Sequence, residues 1–328
     1  MDENELVAPF ARLLEDVAAP ARTRGIEASG KLDDTWDVLV ESGFLDALAP
    51  EEAGGFELPL SEVAPLLQAL GRHAVAAPVG ETMVARALLA QAGVEAPSGP
   101  IVLATLHGGK AAVTPLARVA EFALVQEAGR AVLTPLAGAS VEATGVHHGL
   151  AASLAWNAAP SGPAFDLPAG ALRACAAVIR ACAIAGAADR LLELTVEYAN
   201  ARVQFGKPIG KQQAIQQQLA VMAEETVAAR IAAQIGCASG LPPETRAAAV
   251  AKFTASRAAP QIAATAHAVH GAIGISEEYD LQLFTRRLHE WRLADGSETY
   301  WAELLGAERQ AQAASSSVDF IREIGAPA

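Results

Sequence analysis

A mainly α-helical fold with a short β-rich interruption is what this sequence predicts, and three observations predict it. Apolar residues recur at helical intervals through the first hundred residues and again from about residue 167. Between about Pro100 and Pro163 the pattern changes to short apolar runs separated by Gly and Pro. Alanine is abundant while aromatic residues make up only 5% of the chain, which suits helices packed closely through small side chains. The expected layout is an N-terminal helical domain over residues 1–98, a small middle β-domain over 99–165 and a C-terminal four-helix bundle over 166–328. With 328 residues, 52% of them hydrophobic, there is ample material for such a core. The formal charge of −13 argues against nucleic acid and anionic membranes as partners, since both would repel the chain.

In the N-terminal region Leu6, Phe10, Leu13, Leu14 and Val17 fall at helical spacing, and Trp36, Leu39, Val40 and Phe44 repeat the pattern before a turn at Gly54-Gly55. Ser61 reads as the N-cap of a helix carrying Val63, Leu66, Leu67 and Leu70. A further apolar helix runs from Glu81 to Ala92. In the middle region the strand-like runs are 101–106, 111–115, 122–125 and 131–134.

The last region opens with a nearly continuous apolar run from Leu167 to Ala201, with Arg173, Arg180, Asp189, Arg190, Glu193 and Glu197 suited to one polar face. Helices over 212–239 and 245–270 follow, then a glycine turn at Gly271–Gly274 and shorter helices through Arg287 and from about Ser297 to Ala314. Short connections make these helices antiparallel neighbours, hence a four-helix bundle.

The three cysteines, Cys175, Cys182 and Cys237, are too few for a disulfide framework, and Cys175 and Cys182 lie two turns apart on one helix, too far to bond. The acidic start is the opposite of a signal peptide, and no uninterrupted apolar run is long enough to span a bilayer. The expectation is a cytoplasmic protein.

The stretch from Arg202 to Met222 stands apart. Arg202, Gln204, Phe205 and Gly206 close one helical run, while Pro208, Gly210 and a glutamine cluster open the next, with Gly206 suited to the left-handed residue after a helix end. On spacing alone this is a helical hairpin with a solvated turn. Its wording, R-V-Q-F-G-K-P-I, resembles the R-x-x-F-G signature of the acyl-CoA dehydrogenase family. Downstream, residues 268–274 (A-V-H-G-A-I-G), Glu278-Tyr279 and Arg286-Arg287 are similar to the family's Q-x-x-G-G-x-G and E-Y segments and the arginine-bearing helix after them. Upstream, Gly43-Phe44-Leu45 and Pro50 to Gly55 resemble its N-terminal turn. The middle is the poor part, with a β-region shorter than the family's and no T-E-P-x-A-G-S-D-like flavin segment.

The resemblance implies an FAD-dependent enzyme in which a carboxylate takes the α-proton of an acyl-CoA while the β-hydride moves to the flavin. It carries the cofactor-binding roles onto Arg202, Gln204, Phe205, Gln213, Gly271, Gly274 and Ser297, with the arginine apt for a pyrophosphate. Ala268 and Ala272 depart from the family's glutamine and second glycine. One family position for the base falls near Ala176, which offers no carboxylate, and the late one falls on Asp295. Asp295 is thus a candidate base, or else a helix N-cap with Glu298 completing a capping box. Trp156 is a candidate to back the flavin ring or an ordinary core residue, and His270, His289 and Trp291 are candidates to line the acyl pocket or to be packing residues.

Three functions compete. The first is a self-sufficient FAD-dependent acyl-CoA dehydrogenase, homo-oligomeric, passing electrons to an electron-transfer flavoprotein. The second is a catalytically silent or half-site subunit in a hetero-oligomer with a second acyl-CoA dehydrogenase chain, as in the paired short subunits of steroid side-chain degradation. The third is a helical scaffold without flavin.

Overall fold

The computed structural model describes residues 3–312 and 316–324. Five helices come first: α1 (Glu3–Val17), α2 (Pro20–Ser29), α3 (Thr35–Glu41), α4 (Leu60–Arg72) and α5 (Val79–Gln91). Phe10, Leu14, Leu66, Leu67 and Leu89 form their buried stripe, the residues whose 3–4 spacing marks them in the sequence. Ser61 does not cap α4. The helix starts one residue earlier at Leu60, with Pro59 in the cap position and no side-chain capping bond. Proline's fixed φ serves a helix start, so no serine is needed there.

The β-region is two small sheets. In the first, β1 (Ile101–Thr105) runs parallel to β3 (Phe122–Glu127), which pairs antiparallel with β4 (Arg130–Pro135), which pairs with β7 (Ala164–Asp166). In the second, β2 (Lys110–Thr114) pairs with β6 (Ala152–Ala155), which pairs with β5 (Ser140–Ala143). The strands β5 to β7 are short and weakly apolar, and sequence spacing misses them. Buried Gln126 fastens the first sheet to the helices. Its amide nitrogen donates to the Leu167 and Pro168 carbonyls at 3.0 and 2.8 Å, and its oxygen accepts from the Leu172 amide at 3.0 Å.

The remaining chain is helical: α6 (Ala171–Ala201), then β8 (Val203–Gln204) and β9 (Lys207–Pro208), α7 (Gln213–Cys237), α8 (Thr245–His270), α9 (Leu281–Leu293), α10 (Glu298–Ala311) and α11 (Ser317–Ile324). The expected end of α10 at Ala314 lies outside the described residues. α6, α7 and α8 pack against one another, and α9 and α10 share the remaining place against α8. α6 is long and apolar enough to cross a membrane by composition, yet 94% of its most apolar stretch is buried by its neighbours, so it is the core helix of the bundle. Close approach of α4 to α6 depends on glycine: a Cβ on Gly186 would meet the Gln68 carbonyl oxygen at 1.8 Å, and one on Gly71 would meet the Ala183 oxygen at 1.9 Å. The three cysteines are free and buried, with Cys182 Sγ 3.5 Å from Cys237 Sγ on α7. The main core is one continuous cluster running through the helices and both sheets, with two small clusters beside it.

Candidate functional site

Between α6 and α7 the chain makes the expected helix, tight turn and second helix, and the turn itself is a short hairpin. α6 stops at Ala201, and Val203–Gln204 pairs with Lys207–Pro208 in a two-residue hairpin. Its tip is Phe205 and Gly206, with φ of 54° and 77°. Two consecutive left-handed residues are what a tight hairpin turn needs, so Gly206 serves that turn and not the helix end. Phe205 is thereby held 91% exposed. Arg202, Gln204 and Gln213 are exposed as well. Arg202 has no side-chain hydrogen bond or ion pair among the described residues, so its guanidinium is available for an anion.

A small apolar cluster of Ala199, Ile209 and Val269, with Tyr198, Ile215 and Leu219 packed on it, ties the hairpin to the end of α8. His270 stacks on Tyr198 with ring centroids 4.5 Å apart, and its Nδ1 bonds the Ala266 carbonyl at 2.8 Å. It is a packing residue. Gly271, exposed, and Gly274, buried, lie in the single helical turn that follows. Six of the predicted cofactor residues, Arg202, Gln204, Phe205, Gln213, Gly271 and Gly274, are therefore brought to one end of the bundle. Ser297 is not. Between Arg180, which marks the level of the α9–α10 turn, and Arg202 lie roughly 33 Å of helix α6.

At that other level the chain buries charge. Arg180 of α6 and Glu81 of α5 are each only 3% exposed at their side chains and form a direct ion pair through Nη2 and Oε1. The Arg180 Nε donates to Asp295 Oδ2 at 3.2 Å, with the Asp295 side chain 13% exposed. One arginine thus holds two carboxylates, and Asp295 is an ion-pair partner within the core. It does not cap α10. Ser297 is the N-cap, accepting from the Tyr300 amide, and Glu298 is engaged by Arg292. Asp295 fails as a cap because its backbone is left-handed, φ 56°, whereas a capping residue takes an extended conformation.

Lys252 of α8 is fully buried beneath the same turn and donates to Ser256 Oγ, the Arg292 carbonyl and the Gly296 carbonyl, each at 2.9 Å. Burial pushes its pKa down from 10.5 to about 7. Sequence reasoning missed Arg180, Glu81 and Lys252 as a unit. The available signal was a charge set among small or apolar residues inside each of three helical runs, which has to find a buried partner. Arg180 had instead been placed on a polar face.

Close by, the Arg173 guanidinium stacks over the Tyr300 ring at 5.0 Å, donates to the Tyr300 hydroxyl at 2.8 Å and sits 2.7 Å from His107 Nε2. These exposed contacts link the segment just after β1 to α6 and α10. Trp156 is half-buried, packs on the main core, and its Nε1 is buried without a partner. Trp291 and His289 of α9 line a cavity of about 370 Å³ between α2, the β-region and α9. Burial lowers the His289 pKa.

The fit to FAD is therefore uneven. At the hairpin end an unengaged arginine, exposed amides and a glycine turn suit a pyrophosphate. At the α9–α10 turn, Asp295 is bound by Arg180, Ser297 caps its own helix and Arg173 is engaged by Tyr300.

Residues 174–309 match the family model for the acyl-CoA dehydrogenase C-terminal domain. Acyl-CoA dehydrogenase IpdE2 of Mycobacterium tuberculosis is 33% identical over 289 residues, covering 85% of this chain and 88% of its own. IpdE2 of Mycolicibacterium smegmatis is 31% identical over 337 residues, covering 94% and 96%. Among solved structures, a Tcur3481-Tcur3483 steroid ACAD variant superimposes with a TM-score of 0.82 at 26% identity, covering 96% of this chain and 99% of that one. These similarities make the chain an oxidoreductase acting on acyl-CoA. The chain belongs to the acyl-CoA dehydrogenase family.

Proposed function

We propose that this chain is one subunit of a heteromeric, FAD-dependent acyl-CoA dehydrogenase, and that its hairpin end completes the flavin site of a neighbouring subunit. The observation that carries the reading is the split just described. Six cofactor-type residues, all but Gly274 exposed, gather at one end of the bundle with Arg202 unengaged among the described residues, while the carboxylate and hydroxyl expected at the flavin's reacting end are consumed internally roughly 33 Å away. When bound, the flavin accepts the hydride that leaves the acyl β-carbon. Arg202 would give charge-assisted bonds to the pyrophosphate, and Gln204 and Gln213 amide bonds, with Phe205 covering an apolar part of the cofactor. The similar Tcur3481-Tcur3483 steroid ACAD is named for two components, which supports pairing with a second chain and a steroid-type acyl-CoA as substrate. An electron-transfer flavoprotein fits as electron acceptor.

The test is flavin content of the protein alone and co-purified with a second acyl-CoA dehydrogenase subunit. FAD should be substoichiometric in the isolated chain and full in the complex. Arg202→Ala should lower FAD retention in the complex while the oligomer stays intact. A flavin-saturated isolated chain, or unchanged flavin in the Arg202→Ala complex, would overturn the reading.

One observation favours a second reading in which Asp295 is the base of this chain: its backbone is held at φ 56°, a conformation that costs energy and persists where surrounding structure enforces it. Asp295→Asn separates the two. Loss of acyl-CoA oxidation with an artificial electron acceptor, at unchanged flavin content, assigns the base to Asp295. Full activity of the variant complex places proton removal on the partner.

A further inference from the structure

Among the described residues, the partner of the Cys182 thiol is another thiol. Its Sγ lies 3.5 Å from that of Cys237, 55 positions away in sequence, and the two residues sit on different helices, α6 and α7, each at most 1% exposed. A close approach of the helices brings the sulfurs together. At Gly236, next to Cys237, an added Cβ would meet the Ala251 Cβ of α8 at 2.7 Å and the Val178 Cγ2 of α6 at 3.1 Å. Cys175, two turns before Cys182 on α6, is buried too but has no sulfur partner among the described residues. Burial pushes its pKa up to about 12, so it stays a thiol.

The two members of the pair differ in access. Cys182 lies inside the 31-residue core helix. Cys237 is the last residue of α7 and forms part of the wall of a surface groove of about 240 Å³ between the start of α4, Gln91 at the end of α5 and the turn after α7. Ala238 and Gly240 of that turn are exposed. The last turn of a helix opens at low cost, so a small solute in the groove reaches the Cys237 sulfur before that of Cys182. The bond to Cys237, and then burial, hold the Cys182 thiol well above the usual range, so it keeps its proton until its neighbour changes.

We propose that Cys182 and Cys237 are a redox-modifiable pair: a hydroperoxide entering the groove oxidises Cys237, and Cys182 then closes a disulfide that ties α6 to α7. In the first step the Cys237 sulfur gives up its proton and attacks one peroxide oxygen. The O–O bond breaks, a sulfenic acid forms, and the other oxygen takes the proton and leaves as an alcohol or water. In the second step the Cys182 sulfur attacks the Cys237 sulfur, the S–O bond breaks, and the hydroxyl leaves as water with the Cys182 proton. Two thiols are oxidised and one peroxide is reduced. The sulfurs must close from 3.5 Å to about 2 Å, a shift shared between two side chains. The loop so closed contains the whole hairpin, so oxidation fixes to each other the two helices that carry it. The inference does not rest on the assembly or flavin reading above.

The test treats the whole folded chain with hydrogen peroxide and counts thiols after unfolding. Free thiols should fall from three to one, and a peptide map should join Cys182 to Cys237 and leave Cys175 reduced. The thermal midpoint should rise by on the order of 5 °C, because the crosslink restricts the unfolded chain, and dithiothreitol should reverse the rise. Cys237→Ala should keep both remaining thiols through the treatment and show no rise. Cys182→Ala should stop at the sulfenic acid, which dimedone traps on Cys237. Three thiols surviving in the parent, a disulfide that includes Cys175 or joins two chains, or a dimedone adduct on Cys182 in the Cys237→Ala chain would each overturn the proposal. If either alanine variant does not fold, the thiol count and peptide map of the parent still decide the matter.

Discussion

The two ends of helix α6 treat polar groups in opposite ways. Toward its start, Arg180 is buried and holds Glu81 and Asp295, with Lys252 below them tethering the backbone of the same turn. At its finish, Arg202, Gln204 and Phe205 stand in solvent, and the arginine side chain has no hydrogen bond or ion pair among the described residues. A buried charge must be matched inside the chain, because each ion's desolvation costs several kcal/mol, so the first region is complete in itself. An exposed arginine pays no such cost and can wait for an anion supplied from outside. The first region is an internal fastening that joins α5, α6, α8 and the α9–α10 turn. The second is a solvent-exposed surface.

The largest effect should come from breaking the internal end. Arg180→Met would leave Glu81 and Asp295 as buried, uncompensated carboxylates, with an expected loss of about 3–5 kcal/mol in urea unfolding. A loss near zero would mean that the triad is not what fastens these helices. Next, Gly186→Ala tests the close packing that brings α4 onto α6. Its Cβ would sit 1.8 Å from the Gln68 oxygen, so the backbone must shift, at a cost of about 1–3 kcal/mol.

A pH series sharpens the same comparison. Lys252 has a folded pKa of about 7 against an ordinary 10.5, so between those values the unfolded chain binds more protons than the folded one. Stability of the parent relative to Lys252→Met should therefore rise with pH through that window, by at most about 1.4 kcal/mol per pH unit, and stay level below it. A flat difference from pH 7 to pH 10 would show that Lys252 keeps its proton when folded. The smallest effect on folding belongs to the open end. Arg202→Ala should change stability by no more than about 0.5 kcal/mol, since its exposed side chain makes no hydrogen bond or ion pair among the described residues, and its consequence should be confined to flavin retention in the complex.

Much of this was legible beforehand because it follows from local pattern. The 3–4 spacing of apolar residues marks α1, α4, α5 and the long bundle helices, and the Gly- and Pro-bounded runs mark β1 to β4. The wording around Arg202 and Gly271 singles out residues that the fold does bring together. Short strands β5 to β7 were not legible, because three or four residues of weak apolarity acquire their conformation from the strand beside them. The hairpin at Phe205-Gly206 was misread as a helix end because a left-handed glycine serves either purpose, and only the pairing of Val203 with Pro208 decides which.

By itself, then, the sequence determined which segments are helical, where the chain turns to strand, and the family to which the hairpin and glycine turn belong. Those are properties of neighbours along the chain. Tertiary structure alone decided the fates of the charges. Arg180 and Glu81 are 99 residues apart, and Arg180 and Asp295 are 115 apart, so nothing local says that they meet or that Asp295 will be spoken for. Arg286 and Arg287 likewise turn to Glu27, some 260 residues away. Which carboxylate is bound and which is free is a question of who reaches whom, and packing answers it.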